Sequence, residues 1–233
     1  MFTAVNPKLK KGEQFGYMSF GIHFAPSDIS GYQVCASASK GCTSACLYTS
    51  GHGKFTRTQE ARIAKTKRFF ETREQFLAEL VKESKAGIRK AHREGFKPAF
   101  RLNLTSDVRW ENIPVTVDGI TYPNIMMAFP SVQYYDYTKH TNRRNIPANY
   151  YLTFSRSESN DDKVQEMFDR GFNVAIVFDT PKGKPLPTSY MGREVIDGDE
   201  HDLRFLDKRG VWVGLRGKGE AKKGEHNGFV ILT

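Results

Sequence analysis

Short runs of aromatic and β-branched residues recur along this chain, with helical stretches between them, and that alternation restricts it to α/β folds with a mainly parallel sheet. Gly16–Phe24 reads as the first strand, broken by Pro26, Ser27, Asp28 and Gly31. From Thr58 to Arg93 the sequence is charged and almost free of helix breakers. Thr72 with Gln75 reads as a capping box dividing two helices, and Phe76, Leu77, Leu80, Val81, Ile88 and Ala91 share one face at the helical period. Gly95 and Pro98 end that pattern. Phe100–Leu104, Val132–Tyr135, Tyr150–Phe154 and Asn173–Phe178 read as further strands. Between the last two, Ser159–Asp162 supplies a cap and an acidic first turn, Val164, Met167 and Phe168 an apolar face, and Gly171 a stop, which makes a βαβ unit. Val211–Leu215 and Gly228–Leu232 add two late strands. The expected sheet curls into a partial barrel. Pro114, Asp118-Gly119 and Pro123 mark a hairpin or loop insertion at 112–131, and Asn142–Pro147 reads as a loop.

No repeat, low-complexity tract or flexible linker divides the 233 residues, so a single domain is expected over 1–233. The longest apolar runs, such as Val174–Phe178, are far short of the roughly 20 residues of a membrane helix. Met1–Lys11 is basic but lacks the apolar core and cleavage site of a secretory signal, and the expected compartment is the cytoplasm. Lys and Arg number 35 against 26 Asp and Glu, a net charge of +9, which suits nucleic acid, nucleotides or other anionic partners. The charges are scattered and no helix-turn-helix or RNA-binding motif is present, so a local anionic site is favoured over an extended nucleic-acid groove.

Three cysteines, Cys35, Cys42 and Cys46, fall within twelve residues at the spacing C-x6-C-x3-C. An odd number would strand one thiol if two paired, and thiolates so crowded suggest a shared metal. Small residues between them let the loop wrap a compact ligand, as three irons of a [4Fe-4S] cluster require, and one iron is then left without a thiolate. Zinc with His52 or His23 completing a Cys₃His site is the competing reading; only the Cys42/Cys46 spacing falls in the usual zinc range. Ordinary free thiols are the third.

Cysteines after a first strand, then a long helix and a run of βα units, resemble the radical S-adenosylmethionine superfamily. That resemblance implies a partial (β/α)6-type barrel, a three-cysteine [4Fe-4S] cluster and S-adenosylmethionine as a cofactor. The chain departs from the superfamily motif C-x3-C-x2-C, and no Gly-Gly-Glu triplet follows its second strand. More specifically, Gly41-Cys42-Thr43-Ser44-Ala45-Cys46-Leu47, Arg101-Leu102-Asn103-Leu104-Thr105-Ser106-Asp107, Tyr135-Asp136-Tyr137-Thr138-Lys139 and Leu152-Thr153-Phe154-Ser155-Arg156-Ser157-Glu158 resemble a family of bacteriophage gene products. This second resemblance spans most of the chain and implies a phage origin, with the host cytoplasm as compartment, but no particular activity.

In parallel α/β folds chemistry gathers at the carboxyl ends of strands. Asp107, Asp136 and Lys139 are the candidate catalytic residues there, and Ser155, Ser157, Asn160 and Lys218 the candidate cofactor-binding residues, with Arg156, Glu158 and Arg216 beside them. Each has a plain structural alternative: Asp107 could cap a short helix through Trp110, and Ser159 with Asn160 cap the next helix whatever binds. Asp197-Gly198-Asp199-Glu200-His201-Asp202 could hold Mg²⁺ or Mn²⁺ or simply form an acidic turn. Gly217-Lys218-Gly219 and Gly51-His52-Gly53-Lys54 could offer N–H groups to an anion, although neither is a P-loop. The combined expectation is an iron–sulfur enzyme acting on a small-molecule or nucleotide-type substrate, with an electron donor. The alternative is a non-enzymatic basic module with a structural zinc, binding nucleic acid or a host protein.

Overall fold

The computed structural model describes residues 1–3, 10–224 and 226–233, with only the backbone of Thr49; residues 4–9 of the basic amino-terminal stretch lie outside it. The strands are β1 (Tyr17–Gly21), β2 (Lys97–Arg101), β3 (Val115–Val117), β4 (Ile120–Tyr122), β5 (Gln133–Thr138), β6 (Tyr150–Ser155), β7 (Val174–Phe178), β8 (Ser189–Tyr190), β9 (Arg193–Asp197), β10 (Trp212–Arg216) and β11 (Val230–Ile231). The α-helices are α1 (Lys40–Ser44), α2 (Thr56–Glu71), α3 (Arg73–Arg93), α4 (Ile125–Ala128) and α5 (Val164–Asp169).

Nine strands form one sheet in the order β1-β2-β5-β6-β7-β10-β9-β8, with β11 beside β7. Within it every strand pairing is parallel except β8 against β9. The sheet is open, and this corrects the partial (β/α)6-type barrel expected from the sequence: β1 and β8 stand at opposite ends and do not pair. The cause lies after β7. In place of another helical crossover the chain makes the hairpin β8–β9, whose second strand flanks β10 while the first ends the sheet. The 112–131 stretch contains the separate antiparallel hairpin β3–β4.

One face of the sheet carries the long helices. Phe20, Phe100, Tyr134 and Leu152 from β1, β2, β5 and β6 pack with Phe69 of α2 and Phe76 and Leu80 of α3. The two helices part at Thr72, but no capping box forms: the Thr72 hydroxyl donates back to the Arg68 carbonyl at 3.1 Å, closing the end of α2. The other face is covered by Leu203 and Phe205, which pack on Ala99, Tyr135 and Tyr151.

One edge of β7 is shared. β6 pairs with it at Val174 and Ala175, and β11 takes over at Val177 and Phe178. The sheet therefore splays between β6 and β7 toward their carboxyl ends, with β11 as a wedge, and the cysteine loop packs there. No helix of the described residues is long and apolar enough to cross a membrane.

Candidate functional site

The cysteine segment runs between β1 and α2 and is tied to the strand ends at several points. The Asp107 N–H donates to the Val34 carbonyl at 2.8 Å, and the Cys35 thiol lies 3.9 Å from the Thr105 carbonyl, so Cys35 sits against the loop leaving β2. Ser37 Oγ is 2.8 Å from His140 Nδ1, which joins the same segment to the loop after β5. Ser39 caps α1 by accepting the Cys42 N–H at 3.1 Å. Glu158, past the end of β6, accepts the Gly41 N–H at 2.7 Å and the Ser39 hydroxyl at 2.8 Å. Gly41 has no substitute here: a Cβ would stand 2.2 Å from the His226 carbonyl, 2.6 Å from Phe229 Cβ and 2.9 Å from the Glu158 carboxylate. Cys42 packs against Ala45, Ala221, Phe229 and Val230.

Burial raises the Cys35 thiol to about 12, opposed by the Ser27 N–H and reinforced by Cys46, Asp107 and Cys42; burial raises Cys46 too, opposed by the Tyr48 N–H. The three sulfurs thus lie within electrostatic reach of one another, half-buried, and none is in a disulfide. Among the described residues no three His, Cys, Asp or Glu side chains form a group placed to hold one metal ion, and neither His23 nor His52 completes such a group with the thiols.

Asp107, Lys139 and Ser155 come together on the same rim. Asp107 accepts the Lys139 N–H at 2.7 Å, and the Lys139 ammonium donates to Ser155 Oγ at 2.6 Å and lies 5.2 Å from the Phe229 ring. A cleft of about 200 Å³ beside Cys35 is bounded by Val34, Ala36, Arg73, Asp107 and Arg109. The remaining candidates serve other contacts. Ser157 is fully buried, and its N–H donates to Asn160 Oδ1 at 2.7 Å, while Asn160 Nδ2 donates to the Ser155 carbonyl, so the pair shapes the turn after β6. Lys218 bonds Asp199 at 2.6 Å, and Arg216 bonds Asp197 at 2.8 Å, so two carboxylates of the acidic turn are engaged by cations; Asp202 points elsewhere, to Arg101 at 2.8 Å. His52 and Lys54 are exposed.

Asp136 is fully buried within β5. It accepts the Asn103 N–H and the Tyr150 hydroxyl, both at 2.8 Å. Burial raises its carboxyl to about 7 against the pull of Arg101, Asn103, Tyr150 and Arg143. An acid that ionises at about 3.9 unfolded but near 7 folded contributes stability below about pH 4 and loses it as pH climbs to about 7. Urea midpoints across that window should fall more steeply for the wild type than for Asp136→Asn; parallel profiles would show that Asp136 is ionised throughout.

Sequence reading missed the buried cations. Arg143 bonds Glu111 at 2.7 Å and Asp107 at 3.3 Å with neither loop showing a recognisable pattern, and Arg62 lies on the apolar face of α2 at the spacing of Thr66 and Phe69, a signal that was present. Glu158 offers a direct test of the loop anchor. Glu158→Ala should cost about 1–2 kcal/mol by urea denaturation and speed alkylation of Cys42, since two hydrogen bonds to a carboxylate are lost at a partly exposed position. Unchanged alkylation would show that the loop is held by other contacts.

Comparison with known proteins gives no support for the radical S-adenosylmethionine resemblance: neither a curated protein nor a solved structure matches the chain. The family described as gene product 88, a phage-type family, matches residues 1–231, and the chain belongs to it.

Proposed function

We propose that this protein is a phage-encoded iron–sulfur enzyme of the host cytoplasm, in which Cys35, Cys42 and Cys46 hold a [4Fe-4S] cluster with one iron open to a small-molecule or nucleotide-type substrate. The observation that carries the reading is the gathering of three half-buried thiols at the rim where Asp107, Lys139 and Ser155 also meet. Three thiolates are the ligand number of a cluster that keeps one iron open, and the N–H groups of Ser27 and Tyr48 on Cys35 and Cys46 are the kind of bond that tunes cluster sulfurs.

When bound, the cluster would supply an electron and a Lewis-acidic iron. The chain's own residues would do the rest. Arg73 and Arg109 give the cleft beside Cys35 a positive wall for an anionic group, and Asp107 fixes the backbone of Lys139. Lys139, held by Ser155, keeps a positive charge on the rim.

Anaerobic metal and sulfide analysis tests the reading. About four irons and four sulfides per chain with broad visible absorbance support it. One zinc without sulfide overturns it in favour of the basic module. Addition of S-adenosylmethionine to the loaded protein, followed by EPR, then decides whether that cofactor is the small ligand.

A further inference from the structure

We infer that the amino ends of β5 and β6 form a second ligand site that takes a nucleoside monophosphate: Arg209 and the Leu152 N–H hold the phosphate, and Ile146, Phe172 and Phe205 receive the base. The site stands independently of the iron–sulfur reading, which concerns the opposite, carboxyl ends of the strands.

A cleft of about 320 Å³ opens there, between the start of β6 and the turn joining α5 to β7. Its origin is a missing stretch of pairing. β6 pairs with β5 from Tyr150 onward but with β7 only at Phe154 and Ser155, so Tyr150–Thr153 lack a β7 partner. Phe154 and Arg156 direct their N–H groups at the Asn173 and Ala175 carbonyls, both at 2.9 Å. Leu152, two residues earlier, directs its N–H the same way, and its rung would end on the Gly171 carbonyl. Among the described residues that rung is not made; Arg209 Nη1 bonds the Gly171 carbonyl instead, at 3.3 Å. Leu152 is only 5% exposed. A buried main-chain N–H without a partner is rare, and an acceptor on a ligand in the cleft would supply one.

The charged groups of the cleft are all donors. Arg170 and Arg209 line it, and none of its lining residues is acidic. Arg170 is already engaged, by Glu166 at 3.6 Å and by the Thr141 and Arg143 carbonyls. Arg209 is exposed and makes no ion pair among the described residues, because Asp207, two positions before it, bonds Arg204 at 3.2 Å. Its guanidinium lies 4.6 Å over the Tyr151 ring, which steadies the group and leaves the rest of its fork open. A guanidinium fork beside a main-chain N–H is a donor pattern suited to phosphate, which accepts from several sides. A zwitterion such as a free amino acid fits poorly, because no carboxylate lines the cleft to receive its ammonium group. Ile146, Phe172 and Phe205 give the wall a partly buried apolar part, and the volume is at the lower end for small-molecule sites, which suits one flat base and not a longer ligand.

The test titrates the full chain with AMP, GMP, CMP and UMP, followed by calorimetry and by the amide NMR spectrum, with inorganic phosphate as the bare anion. At least one nucleotide should bind more tightly than phosphate and shift the Leu152 and Gly171 amides. Arg209→Ala should weaken that binding about 10-fold or more, the loss expected when a charge-assisted hydrogen bond is removed, and Arg209→Lys, which keeps the charge without the fork, should fall between the two. Both variants should melt at the wild-type temperature, since Arg209 is exposed. Absence of nucleotide binding, phosphate binding as tight as that of the nucleotides, or wild-type nucleotide affinity in Arg209→Ala would each overturn the inference. Affinity lost in Arg109→Ala but kept in Arg209→Ala would move the ligand to the cleft beside Cys35 and overturn it as well. Purified protein that takes up no iron and sulfide would sink the iron–sulfur reading and leave this one standing.

Discussion

Cys35→Ala, Cys42→Ala and Cys46→Ala, each made singly and purified without oxygen, should retain almost no iron. A cluster normally needs at least three protein thiolates, and each variant leaves two. All-or-none loss in all three distinguishes one shared ligand set from a pair with a bystander. The variants should still fold, because each removes only a small, partly exposed side chain, and matching far-UV circular dichroism would establish this. Full iron in any one of them would end the ligand assignment.

The second large effect concerns stability. Arg143 is enclosed, with Nε 2.7 Å from Glu111 Oε1, Nη2 2.7 Å from Glu111 Oε2 and Nη1 3.3 Å from Asp107. Glu111 is itself buried. Arg143→Met keeps most of the volume but strands the Glu111 carboxylate and loosens Asp107, so the expected cost is about 3–5 kcal/mol. For a chain of this length that corresponds to a drop in melting temperature of roughly 6–10 °C. The double variant Arg143→Met/Glu111→Gln should recover part of it, since no buried charge is then left alone. A single variant within about 1 kcal/mol of wild type would show that water reaches Glu111.

What the sequence made legible follows from periodicity. β6, α5 and β7 were readable as a βαβ unit because Val164, Met167 and Phe168 repeat at the helical period and Gly171 supplies the positive φ of 84° that ends the turn. The two-residue period was also informative in a way not used: Tyr134, Asp136 and Thr138 alternate onto one face of β5, which puts Asp136 in the core and not on the rim. Sheet closure was not legible. Local patterning specifies that strands exist and which face they bury, but the decision between a further crossover and the β8–β9 hairpin is made by short segments with little apolar content, where the burial pattern is weak. The site divides the same way. The cysteines announce themselves by spacing, and the strand-end position of Asp107, Lys139 and Ser155 follows from parallel topology. Arg143 and Glu111 meet only through tertiary folding across 32 residues.

The wedge strand β11 gives this protein a hazard during synthesis. Ser44, two residues from both Cys42 and Cys46, is bonded to His226, 182 positions later, and Cys42 packs on Phe229 and Val230. At roughly 5–20 residues per second the ribosome needs about 10–40 s to make the intervening chain. For that interval Cys42 has left the ribosome without the surface that covers it. It is open to oxidants and to stray metal ions, and the contacts that enclose it are among the slowest to form because they close a very long loop. Protein made under aerobic conditions should therefore lose Cys42 to oxidation mainly while nascent, so that lowering oxygen during expression protects it far more than lowering it after purification.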